Sequence, residues 1–421
     1  MDSVAINRRV PAEELEALVG RLARDVPFWS GRLAPPTPAF ADLPLLTRAD
    51  VRGHSPYDFV PQQMLGGYLL YCESTGTTGE PLSSFHRMED IVGIGSEVRL
   101  PTALTKLLQP GVPVANALPY EMGFVGQATS MLLRAARAVE IPVSTRTTVC
   151  PPERAVAIIR KLRPRGLLCL PVDAECYAQI LADEGVDPAS LGIEVIMVSS
   201  EPSSPARRAH LERLYGAQVV NFFGASELGA VAIPCDHGRA HFREGSLYGE
   251  LLVPDGSAAA GGAREPVTGE LVITTLAPRA MPVLRYAIRD VVTVAWDPCP
   301  CGQSSPTLDY RCRAGGQIRV GDRTWTPIDL EDLVYQVEAG PWYRIEVHPG
   351  PRVLIQVETR AGAADDVGRT LAGTAAERLG VPVDVETFRP GELYDYRGIR
   401  GRKPMSRIVE HDGGGDITWA S

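Results

Sequence analysis

The sequence contains no run of about 18 apolar residues, which leaves no candidate for a transmembrane helix. Its first stretch, MDSVAINRRVPAEELEALVGRL, lacks the apolar core of a secretory signal, so a cytoplasmic protein is expected. Basic residues are in the minority. With Lys+Arg 42 against Asp+Glu 51, the net charge is −9, which argues against a general nucleic-acid binder. Eight cysteines in 421 residues are too few for a disulfide framework. No internal repeat of solenoid or propeller period is visible. Aromatics are only 6% of the chain, so any clustering of them carries weight.

What is present is an ordinary globular composition, 44% hydrophobic, in a chain too long for one core. Leu15, Leu18 and Leu22 fall at helical spacing near the start. From residue 113 to about 223 short apolar runs alternate with helical patterns. VPVANAL, GLLCLP, IEVIMVSS and QVVNFFG read as strands, and 126–140, PERAVAIIRKLRP, DAECYAQILADEG and SPARRAHLERLYG as helices. Ser204 is the expected N-cap of the last helix, with Pro205 in its first turn. That alternation predicts a parallel sheet flanked by helices. Beyond residue 242 the chain becomes strand-rich (GELLVP, GELVITTL, VVTVAW), and its last part mixes helices with a hairpin at WYRIEVHPGPRVLIQVETR. The expected class is α/β: a large N-terminal domain, 1–313, with parallel and mixed sheets plus a β-rich subdomain, and a small mobile α+β C-terminal domain, 314–421.

The loop STGTTG, residues 74–79, can wrap an anion with backbone N–H groups and hydroxyls. It lacks the Gly-Lys-Ser/Thr of P-loop NTPases, and Glu80 stands where phosphate-holding loops carry a lysine. STGTTGEP resembles the Ser-Gly-Thr-Thr-Gly-Lys-Pro loop of the adenylate-forming superfamily. SSEPSS (199–204), NFFGASELG (221–229), TGELVITTL (268–276) and MPVLRYAIRD (281–290) resemble that family's later motifs, in its chain order. The short C-terminal part and the Cys/His pattern are similar to the phenylacetate-CoA ligase-like branch.

The resemblance implies ATP-dependent adenylation of a carboxylate, with an aryl acid as the expected class, to acyl-AMP and pyrophosphate, followed by transfer to CoA. It assigns Ser74, Thr75, Gly76, Thr77, Thr78 and Gly79 to the phosphates. Ser200, Glu201, Pro202, Phe223, Gly224 and Ser226 line the nucleotide, Glu227 holds Mg²⁺, and Asp290 accepts from the ribose hydroxyls. Gly269 and Glu270 are expected to be structural. Lys403, in GIRGRKPMSRIVEHD, matches the mobile catalytic lysine, although its spacing to Arg407 departs from the family's. The hinge position falls at Gly315, where relatives carry an acid or lysine, and Gly321 matches a glycine lining the pantetheine tunnel. TWTP follows it where many relatives have Asn-Val-Phe-Pro. Tyr120, Glu121, Phe124, Phe222 and Ala225 are the expected walls of the acyl pocket.

Cys235, His241, Cys299 and Cys301 match a structural Zn²⁺ site of that branch, with His237 the poorer histidine and Cys312 a reserve ligand. Cys72, Cys150, Cys169 and Cys176 are expected to be packing residues. ATP, Mg²⁺, CoA and Zn²⁺ are therefore the expected cofactors. The expected partners are a small organic acid and an acyl acceptor, with a homodimer as candidate assembly and neither nucleic acid nor membrane. Transfer to an amine or carrier protein, or a non-catalytic nucleotide-binding homologue, are the alternatives.

Overall fold

The computed structural model describes the chain outside residues 1, 8–9, 34–37, 75–80, 93–96, 98, 145–146, 255–264, 338–339, 341, 350–351, 360–363, 398–406, 412–416 and 420–421. Thr75, Gly76, Thr77, Thr78, Gly79, Glu80 and Lys403 therefore lie outside the described residues. The chain forms two compact units, each assembled from separated segments: Met1–Thr105, Pro119–Ala136 and Phe222–Tyr310 in one, Lys106–Leu118, Arg137–Asn221 and Arg311–Ser421 in the other.

The first unit is built on an eight-stranded sheet. Its order is Asp2–Ala5, Leu247–Val253, Val267–Thr275, Tyr286–Ala295, Thr307–Arg313, Ala240–Phe242, Gly229–Pro234, Phe223–Ala225. The strand-rich region after residue 242 supplies its centre, with antiparallel pairing along the run from 247 to 295. The N-terminal helix Ala12–Asp25 buries Leu15, Leu18, Val19 and Leu22, the stripe its spacing foretells. That stripe joins a core with Phe28, Trp29, Phe59, Leu251, Ile273 and Tyr286.

The second unit contains the parallel sheet. Its order is Val139–Pro142, Pro113–Asn116, Gly166–Cys169, Val195–Val198, Gln218–Asn221, every neighbour parallel. Gly166–Cys169 and Val195–Val198 are buried along their whole length, as strands covered on both faces must be. Ser204 caps Pro205–Tyr215, its Oγ accepting from the Arg207 N–H at 3.2 Å. A second sheet in this unit runs Val383–Phe388, Arg352–Glu358, Tyr343–His348, Ile408–His411, Ile417–Trp419, with the expected hairpin as one of its antiparallel pairs.

Two elements differ from the sequence reading. The helix expected over 126–140 is Phe124–Ala135, and Val139–Pro142 is an edge strand of the parallel sheet. Arg137 takes φ +55°, a left-handed conformation that does not continue a helix, and β-branched Val139 and Ile141 suit the strand. The run QVVNFFG is two strands in two different sheets, broken at Phe222. Periodicity cannot see such a break, because both halves are apolar.

The stretch after Arg313 is a turn, closed by the Gly316 N–H on the Arg313 carbonyl at 2.8 Å. Gly315 sits in it at φ +85°, a conformation that an acid or lysine would adopt only under strain. The TWTP departure also has a local cause. Thr326 N-caps Pro327–Val334 in a reciprocal capping box with Asp329, and Pro327 fills the first helical turn.

Candidate active site

In the first unit the antiparallel strands Leu70–Glu73 and Ser83–His86 form the stem of the Ser/Thr/Gly loop. Ser74 closes that stem twice: its N–H donates to the Leu82 carbonyl at 2.9 Å, and its Oγ accepts from the Leu82 N–H at 2.8 Å. Ser74 is thus a stem residue by its own contacts. Cys72 beneath it is fully buried, and burial pushes its thiol up to about 12, which makes it packing rather than reactive.

The motif NFFGASELG folds as a tight antiparallel hairpin, Phe223–Ala225 against Gly229–Pro234, with Ser226, Glu227 and Leu228 in the turn. SELGA does not open a helix. A Cβ on Gly224 would lie 2.2 Å from the Gly229 carbonyl oxygen, so only glycine lets the two strands approach. The turn presents Glu227, which is buried. Tyr286 Oη donates to its Oε1 at 2.6 Å and Arg48 stands 3.7 Å from the same oxygen, so both contacts fall on Oε1. Tyr286 and Arg48 escaped the sequence reading; only the Arg-Tyr pair in MPVLRYAIRD hinted at the first.

Asp290 is buried on Tyr286–Ala295. The pairing of that strand shifts between Glu270, opposite Val291, and Val272, opposite Ala287, so extra residues bulge out around Asp290. Arg289, at φ +68°, belongs to the bulge and reaches Glu270 at 3.4 Å. Bulges of this kind re-aim a side chain out of the regular alternation. Here the residue concerned is the one assigned to the ribose. Gly269 and Glu270 lie on the partner strand, in keeping with a structural part.

Phe223 faces Tyr310, ring centroids 5.7 Å apart. Phe222 packs with Leu100, Ala230 and Ile233 in a small apolar cluster, while Ala225 is half-buried. Phe124 is buried beside Cys72, Ile91 and Ala128. The Tyr120 carbonyl accepts from Gln127 Nε2 at 3.0 Å, and Glu121 is exposed.

A residue absent from the motif assignment joins this region. His86 is buried, 4.2 Å from the Phe124 ring between centroids, with Nε2 3.1 Å from Ser84 Oγ. Burial, reinforced by the nearby Arg279 charge, pushes it down to about 3, so it is a neutral imidazole at physiological pH. Its strand position after the loop is the only sequence signal it leaves.

In the second unit, Ser200, at φ +69°, opens the turn before the Ser204 cap. Glu201 does not project into solvent. Its Oε1 accepts from Arg207 at 2.9 Å, its Oε2 from the Val172 N–H at 3.3 Å, and the Pro202 carbonyl accepts from Arg207 at 3.3 Å. Arg207 is fully buried and forks onto both oxygens of Glu175, each at 2.8 Å, and reaches Glu331 at 3.1 Å. Arg407 donates to Glu175 at 3.2 Å and to Tyr335 Oη at 3.0 Å. Tyr335 and Tyr343 donate to Glu175 and Glu331. Burial opposes ionisation of Glu175, but Arg207 and Arg407 outweigh it and hold the carboxyl at about 2. Glu331, with more burial than compensation, is raised. The sequence reading saw Arg407 only as a spacing and missed its partners, which come from helices and strands far apart in the chain.

The same unit buries Glu358 completely, its Oε1 accepting from the N–H groups of Gly391 (2.9 Å), Leu393 (3.0 Å) and Tyr394 (3.1 Å). Burial pushes it up to about 7 despite those donors. The folded chain then holds the proton more tightly than the unfolded one. Stability contributed by this group is therefore full below about pH 4.5 and falls as pH rises to about 7, by about 3 kcal/mol. Glu358→Gln is expected to flatten that fall in urea melts run from pH 5 to 8; an unchanged slope would remove Glu358 as its source.

Cys235, His241, Cys299 and Cys301 converge, with one ligand atom from each inside a 4.8 Å group. Cys235 Sγ and Cys299 Sγ are 3.7 Å apart, and Cys301 Sγ is 3.2 Å from His241 Nε2. Two thiolates on a tetrahedral zinc, each at about 2.3 Å, would stand about 3.8 Å apart. His241 Nδ1 lies 2.9 Å from the Ser305 carbonyl, the outer hydrogen bond that turns Nε2 toward a metal. The donor set therefore fits zinc. His237 and Cys312 are outside the group.

No family model matches the chain. Phenylacetate-coenzyme A ligase of Thermus thermophilus is 28% identical over 312 residues, 70% of this chain and 68% of that protein. The Aromatoleum evansii protein of the same name is 24% identical over 371 residues, 83% and 78% of the two chains. Among solved structures, a 2-hydroxyisobutyryl-CoA ligase in the postadenylation state with 2-HIB-AMP superposes at TM-score 0.76, with 17% identity over 95% of this chain and 88% of that one. An anthranilate CoA ligase with anthranoyl-AMP gives TM-score 0.54 at 15% identity, over 76% and 64%. The fold is that of the adenylate-forming CoA ligases. In its ordered motifs and its curated relatives, the chain is similar to the phenylacetate-CoA ligase-like branch of that superfamily.

Proposed function

We propose that the protein is an AMP-forming acid ligase that adenylates an organic carboxylate, an aryl acid by preference, and passes the acyl group to CoA. The observation that carries this reading is Glu227, a buried carboxylate in a glycine-dependent turn whose contacts with Tyr286 and Arg48, among the described residues, both fall on one oxygen. Magnesium neutralises triphosphate charge when bound, and Glu227 Oε2 is the atom that would hold it. The acid's oxygen forms a bond to the α-phosphorus of ATP, and the bond to pyrophosphate breaks. Asp290 orients the ribose, Phe223 backs the adenine, and Ser200, Glu201 and Pro202 line the nucleotide. The loop 74–79 cradles the phosphates, Ser74 from the top of its stem. Neutral His86 backs Phe124 without adding charge to the acyl side.

Lys403 is the proposed cation on the developing charge. Composition favours it: only Lys106, Lys161 and Lys403 are lysine, so arginine fills nearly every other basic position. Arginine spreads its charge over a planar fork, whereas lysine delivers a point charge on a flexible stem. The lysine between Arg402 and Pro404 suits that demand. Residues 314–421 are the proposed mobile domain, pivoting at the Gly315 turn. A homodimer in the cytoplasm is its proposed setting; among the described residues no helix is long and apolar enough to cross a membrane.

A second reading, transfer to an amine, is favoured by TWTP, which serves a helix cap here, and by similarity to an amide bond synthetase at TM-score 0.50 and 16% identity. Pyrophosphate release measured across aryl acids, with mass spectrometry for the acyl-adenylate, tests adenylation. Release that ignores the acid would overturn it and leave a nucleotide-binding homologue. Adding CoA or amines in separate arms then identifies the acceptor.

The four-ligand Cys/His group is proposed to hold a closed, structural zinc. One equivalent is expected in the purified protein by elemental analysis. Cys299→Ser/Cys301→Ser should lose it and melt at lower temperature, because metal binding contributes directly to folding. Retention of the metal in that variant would rule the site out.

A further inference from the structure

We infer that the second unit carries another metal site, made by Glu346, His348 and His411, that takes a divalent transition-metal cation of the zinc, cobalt and nickel class. Strand geometry brings these residues together. Along Tyr343–His348 the side chains alternate, Tyr343, Ile345 and Val347 entering the core while Arg344, Glu346 and His348 share the other face. Ile408–His411 runs parallel beside it, Glu346 opposite Val409 and Val347 opposite Glu410, which sets His411 level with His348 on that same face.

The side chains converge on one atom. His411 Nε2 is 3.1 Å and His348 Nε2 3.4 Å from Glu346 Oε2. Their rings are parallel, with centroids 4.4 Å apart. The other carboxylate oxygen, Oε1, lies 3.0 Å from Arg344 Nε, which fixes the carboxylate and leaves Oε2 to the histidines. Arg352, across from His348 on the neighbouring strand, is paired with Asp384 at 2.7 Å. Side-chain exposures of 15% for Glu346 and 26% for His411 give a site reachable from solvent yet partly shielded from it.

Two imidazoles and a carboxylate are a ligand set that borderline cations select, with water completing the shell. Magnesium, which prefers oxygen ligands, suits it poorly. Only 7 histidines occur in 421 residues, and two of them share this carboxylate oxygen. A cation there would fasten Ile408–His411, the strand directly following Arg407, to Tyr343–His348. This site is independent of the Cys/His group and of the proposed reaction.

The test is calorimetric and optical titration of the full-length protein with Co²⁺. Wild type is expected to bind one equivalent that gives no thiolate-to-cobalt charge-transfer band, and to melt at higher temperature with Co²⁺ present. Loss of an outer hydrogen-bond partner already weakens metal sites by about 10–100-fold, so losing ligands should cost at least that. His348→Ala/His411→Ala should abolish the equivalent and the thermal shift, and the near-isosteric Glu346→Gln should weaken both. Any thiolate band should be the same in all three proteins. The proposal fails if wild type binds Co²⁺ only with a thiolate band, if it binds none, or if the variants bind as wild type does.

Discussion

Glu227→Gln is expected to lower acid-dependent ATP–pyrophosphate exchange by about two to three orders of magnitude while leaving the fold intact. The amide keeps the shape and can still accept from Tyr286 Oη, which stands 2.6 Å from Oε1. Packing of the turn at 226–228 is thereby preserved. What disappears is a full negative charge at the oxygen proposed for magnesium, in a buried setting where charge is weakly screened. An effect on the chemical step should appear in kcat and in kcat/KM together, because the charge matters most when phosphate charge is redistributed. Thermal melts of the same variant should match wild type within a few degrees. Exchange reduced less than about threefold, with normal melts, would remove Glu227 from the reaction and leave it a turn residue.

Arg207→Leu is expected to cost about 3–5 kcal/mol of stability, because it strips a buried cation from several carboxylates at once. Arg207 has no exposed surface; it forks onto Glu175 and also reaches Glu201 and Glu331. Without it Arg407 is, among the described residues, the remaining cation on Glu175, and its contact there is longer, at 3.2 Å. The group can recover part of the loss by taking up a proton, and Glu331, already raised by burial, is the place for it. The variant should therefore be less damaged at pH 5 than at pH 8. Arg207→Lys keeps the charge but not the fork, and should fall between. Urea melts at the two pH values check this. A loss below about 1 kcal/mol, or one independent of pH, would show that the network is not held together by this guanidinium.

Much of the fold was legible in the sequence because it rests on local periodicity. The Leu15, Leu18, Leu22 stripe, the Ser204–Pro205 helix start and the alternation of apolar runs with helices are properties of neighbouring residues. The errors fell where that information ends. Nothing local separates Gln218–Asn221 from Phe223–Ala225, since the break at Phe222 is fixed by the sheet each half joins. The candidate site divides in the same way. Glu227 and Asp290 were identifiable from motif order, whereas Tyr286, Arg48 and His86 were not, being defined by what they touch.

The sequence by itself determined which residue types were available: a hydroxyl- and glycine-rich loop, two motif carboxylates, three cysteines and a histidine of soft-metal character, and scarcely any lysine. Tertiary structure alone decided that Arg207, Glu175, Glu331 and Arg407 form one buried network, that a bulge surrounds Asp290, and that two histidines meet on Glu346. The reason is physical. Periodicity is set by the backbone over a few residues, whereas the partners of a buried charge are chosen by desolvation. Desolvation acts between segments that are distant in the chain and adjacent only after folding.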